Sequence, residues 1–126
     1  MDKTPLTTER APAAIGPYSQ AVRSGQTIYT SGQIGLDPKT GELVGADIEA
    51  QARQAFANLA AVAAAGGATL ENAVKLTLFL TDLTHFARVN AIMAELMPKP
   101  YPARSTVGVA SLPKGAQFEV EAILVL

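Results

Sequence analysis

The spacing of apolar residues changes along this chain, and each change marks an element. Ile48, Ala52, Ala55, Phe56, Leu59, Val62 and Ala63 recur at helical spacing, with Gln51, Arg53, Gln54 and Asn58 mainly on the other side. Asp47 stands where its carboxylate can accept from the first free backbone N–H groups, and Gly66-Gly67 ends the run. The pattern then alternates. Val74, Leu76, Leu78 and Leu80 face one way and Lys75, Thr77, Phe79 and Thr81 the other, which predicts a strand over 73–81. Asp82 can cap a second helix over about 83–97, with an apolar stripe of Phe86, Val89, Met93, Leu96 and Met97.

The last quarter reads as two strands, 101–110 and 118–126, paired across the turn-rich Ser111-Leu112-Pro113-Lys114-Gly115-Ala116. Ahead of the first helix, 18–23 and 27–34 read as strands joined by Ser24-Gly25-Gln26, and Glu42-Leu43-Val44 adds a short third. Gly32 inside its strand signals a bulge or a close backbone approach. Residues 1–14 read as a mobile or edge-lying lead-in interrupted by Pro5 and Pro12. The order ββ(β)αβαββ predicts an α+β fold: a mixed sheet of about six strands with two helices on one face.

That architecture makes the second sheet face informative. Phe118, Val120, Ala122, Leu124 and Leu126 share the face assigned to the helices, while Glu119, Glu121, Ile123 and Val125 share the opposite one with Phe79. The second face is half apolar, so it predicts an oligomer that buries it, with clefts between subunits as natural pockets.

Composition narrows the choices. The 126 residues suit a single domain, 1–126, and 48% apolar but only 6% aromatic content favours close packing of small side chains. A formal charge of −1 offers no footprint for nucleic acid. No apolar stretch approaches a membrane span, and the polar first ten residues lack the apolar core of a signal peptide. Zero cysteines exclude thiolate chemistry and fit a cytoplasmic setting, and one histidine leaves no ordinary zinc site. No Gly-rich phosphate loop or nucleophile elbow is present, so neither metal nor cofactor is expected.

Arg104, at the head of an apolar strand, is the strongest chemical candidate, because its planar fork suits a carboxylate. A surface arginine, or one paired with Glu119 or Glu121, is the plainer reading. Glu119 and Glu121 share a face. One could hold a water or shuttle a proton, or both could be solvated partners of Lys75 and Arg104. Tyr18 could lend a hydroxyl or simply pack. Ser31-Gly32 could offer a hydroxyl and accessible backbone groups or form a bulge. Asn90 is expected to be structural, and His85, near the exposed start of the second helix, to be solvated. Together these suggest a small anion pocket for a carboxylic acid, worked by acid–base hydrolysis.

Ala11-Pro12-Ala13-Ala14-Ile15-Gly16-Pro17-Tyr18-Ser19-Gln20-Ala21, Thr30-Ser31-Gly32-Gln33-Ile34, Pro38-Lys39-Thr40-Gly41-Glu42, Gln51-Ala52-Arg53-Gln54-Ala55, Asn90, Pro102-Ala103-Arg104-Ser105, Leu112-Pro113-Lys114 and Glu119-Val120-Glu121-Ala122 keep one order across nearly the whole chain. As a set they resemble the RidA (YjgF-type) family of 2-iminobutanoate/2-iminopropanoate deaminases. The resemblance implies a chorismate-mutase-like fold and a homotrimer whose sheets form a central barrel with three inter-subunit clefts. It implies cofactor-free hydrolysis of 2-imino acids, released by pyridoxal-phosphate enzymes, to 2-oxo acids and ammonia. Carried over by position, Arg104 clamps the substrate carboxylate and Glu119 positions the attacking water. Tyr18, Ser31, Gly32, Asn90 and Thr106 line the cleft. Thr106 stands where the family archetype carries cysteine. A non-catalytic trimer that binds small carboxylates in a regulatory or chaperone-like role is the alternative, and ribonuclease activity is a further one.

Overall fold

The computed structural model describes residues 2–126. Its strands are β1 (Thr4–Leu6), β2 (Ala21–Ser24), β3 (Thr27–Thr30), β4 (Gln33–Ile34), β5 (Ala73–Leu80), β6 (Ala103–Gly108) and β7 (Phe118–Val125), and its helices are α1 (Ile48–Ala65) and α2 (Phe86–Leu96). The α+β prediction holds. The strands form one sheet in the order β1-β2-β3-β7-β5-β6, with β4 also paired to β7. Every pairing is antiparallel except β5 with β6. That parallel pair needs a crossover, which α2 supplies.

Alternation along β7 buries Phe118, Val120, Ala122 and Leu124 under the helices. Phe56 of α1 stacks on Phe118 at 5.7 Å between ring centroids. Leu76, Leu78 and Leu80 of β5 complete the layer, with Val89, Ile92 and Met93 from α2. α1 approaches the sheet closely at Gly35, where an added Cβ would lie 2.7 Å from the Gln51 Cα and its carbonyl oxygen. Asp47 caps α1 by accepting from the Ala50 N–H, and the helix ends at Gly66 as its glycines predict.

Several details depart from the sequence reading. The two C-terminal strands do not pair, because β5 lies between β6 and β7. The strand expected over 27–34 breaks at Ser31-Gly32, which separates β3 from β4. Thr30 bridges the gap, its Oγ1 accepting from the Ala122 N–H at 2.9 Å in place of a ladder carbonyl. The edge-lying reading of the lead-in holds, but Pro5 does not interrupt it: it sits in an edge strand, β1, where N–H groups are to spare. The strand expected over 18–23 is shorter and later, and Leu43 forms only an isolated bridge to Leu36.

Gln51 and Asn58 are fully buried, against the assignment to the outer side of α1. The Asn58 Nδ2 donates to the carbonyls of Ile34 and Leu36 at 3.1 and 2.9 Å. Gln51 Nε2 donates to the Gly45 carbonyl, and its Oε1 accepts from the Gln117 N–H. These two amides tie the end of β4, the loop from Leu36 to Gly45 and Gln117 to the helix. A bulge between Ala73 and Lys75 turns Val74 outward, so Ala73 takes its place in the core. The second helix begins with a short 3-10 turn, Leu83–His85, whose Thr84 N–H is capped by Asp82. Ile92 joins its buried stripe while Leu96 is exposed.

Candidate functional site

Arg104 sits in the outer strand of the sheet, opposite Leu76 in the register, and so points to the helix side. Its Nη1 donates to Asn90 Oδ1 at 2.6 Å and approaches the Met93 sulfur at 3.6 Å. The guanidinium also lies over the Phe86 ring, 5.2 Å from the centroid. Phe86, Asn90 and Met93 fall on one side of α2 by helical spacing, so three side chains fix one arginine. Among the described residues Arg104 has no carboxylate partner, so a pair with Glu119 or Glu121 fails, while the surface half of the plainer reading holds, since Arg104 is exposed. A cavity of about 360 Å³ opens here, bounded by Asn90, Met93, Ala94, Tyr101, Pro102 and Arg104. Thr106 lies two residues on along the same strand face, and its Oγ1 is buried with no hydrogen-bond partner.

Glu119 belongs to a different place. It is paired with Phe79 on β5 and points to the open sheet face, away from the helices. Its side chain rests on Gly32, where a Cβ would fall within contact distance of Oε2 and 2.7 Å from Cδ. The break between β3 and β4 thus seats the carboxylate, so the close-approach reading of Gly32 holds. Burial, and secondarily the like charge of Glu121, push the Glu119 carboxyl above the usual carboxylate range.

Ser31 Oγ donates to the Ser19 carbonyl at 2.6 Å, which fixes the turn beside this seat. The Tyr18 hydroxyl accepts from the Ile15 N–H at 3.3 Å, and the exposed ring forms a wall. Tyr18, Gly32 and Glu119 line a cavity of about 550 Å³ that extends between Pro12 to Ile15 on one side and Pro38 to Gly41 with Pro113-Lys114 on the other.

The predicted residues therefore divide. Asn90, Arg104 and Thr106 lie on the helix side of β6; Tyr18, Gly32 and Glu119 gather on the open side, with Ser31 next to them. Arg104 is two strands from Glu119 and three register positions along. With strands about 4.8 Å apart and about 3.3 Å per residue, their backbones stand roughly 14 Å apart, and their side chains leave opposite faces. One small acid cannot touch both groups of a single chain.

Among the described residues, no three His, Cys, Asp or Glu side chains are grouped to hold a metal, and no helix is long and apolar enough to cross a membrane. His85 is half-buried, not solvated, with Nδ1 unpartnered. Three contributors were missed as site residues: Phe86 and Met93 in the arginine seat, and Gln20. Gln20 is buried, its amide donating to the carbonyls of Thr8, Ala11 and Pro12 and accepting from the Thr8 N–H, so it pins the lead-in as a cavity wall. Helical spacing from Asn90 points to Phe86 and Met93, whereas the Gln20 partners have no periodic signal.

Residues 8–126 match the family model described as Endoribonuclease L-PSP. The chain belongs to this family. The RidA resemblance read from the motifs is to the same group. An L-PSP-family relative from Dermatophagoides farinae, named 2-iminobutanoate/2-iminopropanoate deaminase, is 48% identical over 121 residues, 96% of this chain and 94% of its own length. The solved RidA from the Antarctic bacterium Psychrobacter sp. PAMC 21119 superposes with a TM-score of 0.93 at 48% identity, covering 96% of this chain and 98% of that one. The solved E. coli TdcF with bound serine gives a TM-score of 0.92 at 42% identity, covering 98% of each chain.

Proposed function

We propose that this L-PSP-family chain is an enzyme that hydrolyses reactive 2-imino acids to 2-oxo acids and ammonia. Relatives of this closeness are named as deaminases of such imines. The observation that carries the site assignment is the division itself: an arginine held ready without a carboxylate on one face, and a carboxyl of raised pKa on the other. A homotrimer closed around the half-apolar sheet face brings the Arg104 half of one copy against the Glu119 half of the next, with a cleft at each junction. Its cysteine-free composition suits the cytoplasm.

In that cleft Arg104 grips the substrate carboxylate, and Thr106 Oγ1 has a free hydrogen bond to add. Asn90 keeps the guanidinium in place. Glu119, braced on Gly32, holds a water against the imine carbon, with Tyr18 and Ser31 shaping the wall. Water oxygen bonds to the carbon while Glu119 takes its proton. That proton passes to nitrogen to give a carbinolamine; Glu119 then carries the hydroxyl proton to the amine, the C–N bond breaks as the O–H electron pair forms C=O, and ammonia leaves. A 2-imino acid is already electrophilic, so positioning supplies much of the acceleration. A carboxylate whose pKa is raised is also the stronger base, and so takes the water proton more readily.

The first test is decay of 2-iminobutanoate produced in situ by a threonine dehydratase; decay no faster than in buffer would end the enzymatic reading. Saturable binding of a 2-oxo acid without turnover would instead support the carboxylate-binding alternative. The ribonuclease in the family description meets a chain of formal charge −1 with no basic stripe, so salt-sensitive RNA binding is not expected. The assembly is tested by mixing subunits. Arg104→Ala and Glu119→Gln are each expected to be inactive, and equal co-assembly to restore roughly a quarter of the clefts, those pairing an intact arginine with a neighbour's intact glutamate. No recovery would place both residues of each cleft on one chain.

A further inference from the structure

We infer that Lys114 is a positioning residue that sets the width of the substrate side-chain chamber beside Glu119, and so selects among 2-imino acids by side chain. This rests on the deaminase reading above and extends it to a wall residue of the Glu119 cavity.

Lys114 is the one non-glycine residue with positive φ among the described residues, at φ 58° and ψ 21°. A side chain with a Cβ keeps that conformation only where its surroundings enforce it, and such outliers collect at functional walls. Gly115 next door has φ 71° at no steric cost, so the backbone turn alone does not explain a lysine here. What the conformation achieves is a reach. Lys114 Nζ donates to the Gly41 carbonyl at 2.9 Å, joining segments 73 residues apart.

The joined segments are both walls of the cavity that holds Glu119. The 37–41 turn is stiff within itself: the Gly41 N–H donates to the Asp37 carbonyl and the Lys39 N–H to the Asp37 carboxylate, each at 2.8 Å. It joins the body through a narrow neck, where Leu36 bridges Leu43 and the Val44 N–H donates to the Gly35 carbonyl. A rigid lobe on a narrow neck is set by whatever ties its far end, and Lys114 supplies that tie. The facing wall needs no such strap, since Gln20 anchors it through its buried amide.

The chamber between them is lined by Pro12, Ile15, Leu36, Pro38 and Pro113, surfaces that suit an aliphatic side chain. At about 550 Å³ it has room for more than a four-carbon acid. Longer aliphatic 2-imino acids touch the lobe and depend on the strap, while the imine of alanine does not reach it.

The test compares imines of leucine and alanine, generated by an amino-acid oxidase, on wild type, Lys114→Met, Lys114→Gly and Lys114→Arg. Lys114→Met keeps length and loses the donor; Lys114→Gly frees the backbone and loses the donor. Both are expected to lower kcat/KM for the leucine imine about tenfold through KM, the low end of what apolar pocket contacts are worth, and to leave the alanine imine unchanged. Lys114→Arg restores the preference. Calorimetry with 4-methyl-2-oxopentanoate and pyruvate reads the same selectivity without turnover, so an inactive wild type would sink the deaminase reading and still leave the strap testable. An unchanged leucine-to-alanine ratio in both donor-free variants, or equal loss for both acids, overturns the inference.

Discussion

Gly32→Ala tests whether the position of one carboxylate governs the reaction. The new Cβ would fall 2.7 Å from Glu119 Cδ. Glu119 Oε2 lies closer still, so to regain normal contact distances the carboxylate must retreat by about 1 Å. The obstacle is the far end of a flexible side chain, and Gly32 has no positive φ, so the backbone has no reason to move. Stability should therefore change little. Activity should not: a misplacement near 1 Å can cost about 100-fold, equivalent to roughly 2.7 kcal/mol of transition-state stabilisation. Steady-state imine decay should show the loss mainly in kcat, with Tm by circular dichroism almost unchanged. Gly35→Ala is the contrast. There the Cβ meets the Gln51 backbone at 2.7 Å, which cannot step aside, so about 1–3 kcal/mol of stability is lost. If Gly32→Ala keeps kcat within threefold of wild type, the seat of Glu119 has no catalytic meaning.

Two other outcomes follow from the same geometry. Activity should fall on the acid side as Glu119 is protonated, at a pH above the usual carboxylate range because burial and Glu121 raise its pKa. Glu121→Gln removes the like charge, lowers the Glu119 pKa and moves that limb to lower pH; a pH–rate profile that stays put or shifts upward contradicts the assignment. Gln51→Leu leaves the Gln117 N–H and the Gly45 carbonyl without partners, and denaturant unfolding should register a loss of about 1–3 kcal/mol.

Local periodicity carried much of the fold. The apolar face of α1, its Asp47 cap and its glycine stop were all readable, because helix signals lie within a few residues of one another. Gln51 and Asn58 were misplaced since a polarity pattern sees an amide as outward, whereas their partners lie in loops as far as 66 positions away. Val74 was misplaced by a bulge with no residue signature. The false pairing of β6 with β7 came from proximity in sequence. The α2 crossover that makes β6 parallel to β5 could have flagged it, since a parallel pair needs such a connection. In the site, alternation shows which residues of one strand share a face, but not how the faces of two strands correspond. That is why Arg104 and Glu119 were legible as residues and their separation was not.

The placement of Arg104 and Glu119 on opposite sides of one sheet has a consequence for dilution. No breathing of a single chain can bring them together, since β5 stands between their strands and the packed core fills the helix side. Any chemistry that needs both becomes a property of encounter between copies. Its specific activity would then rise with protein concentration until assembly is complete, and a newly made, solitary chain would be chemically silent.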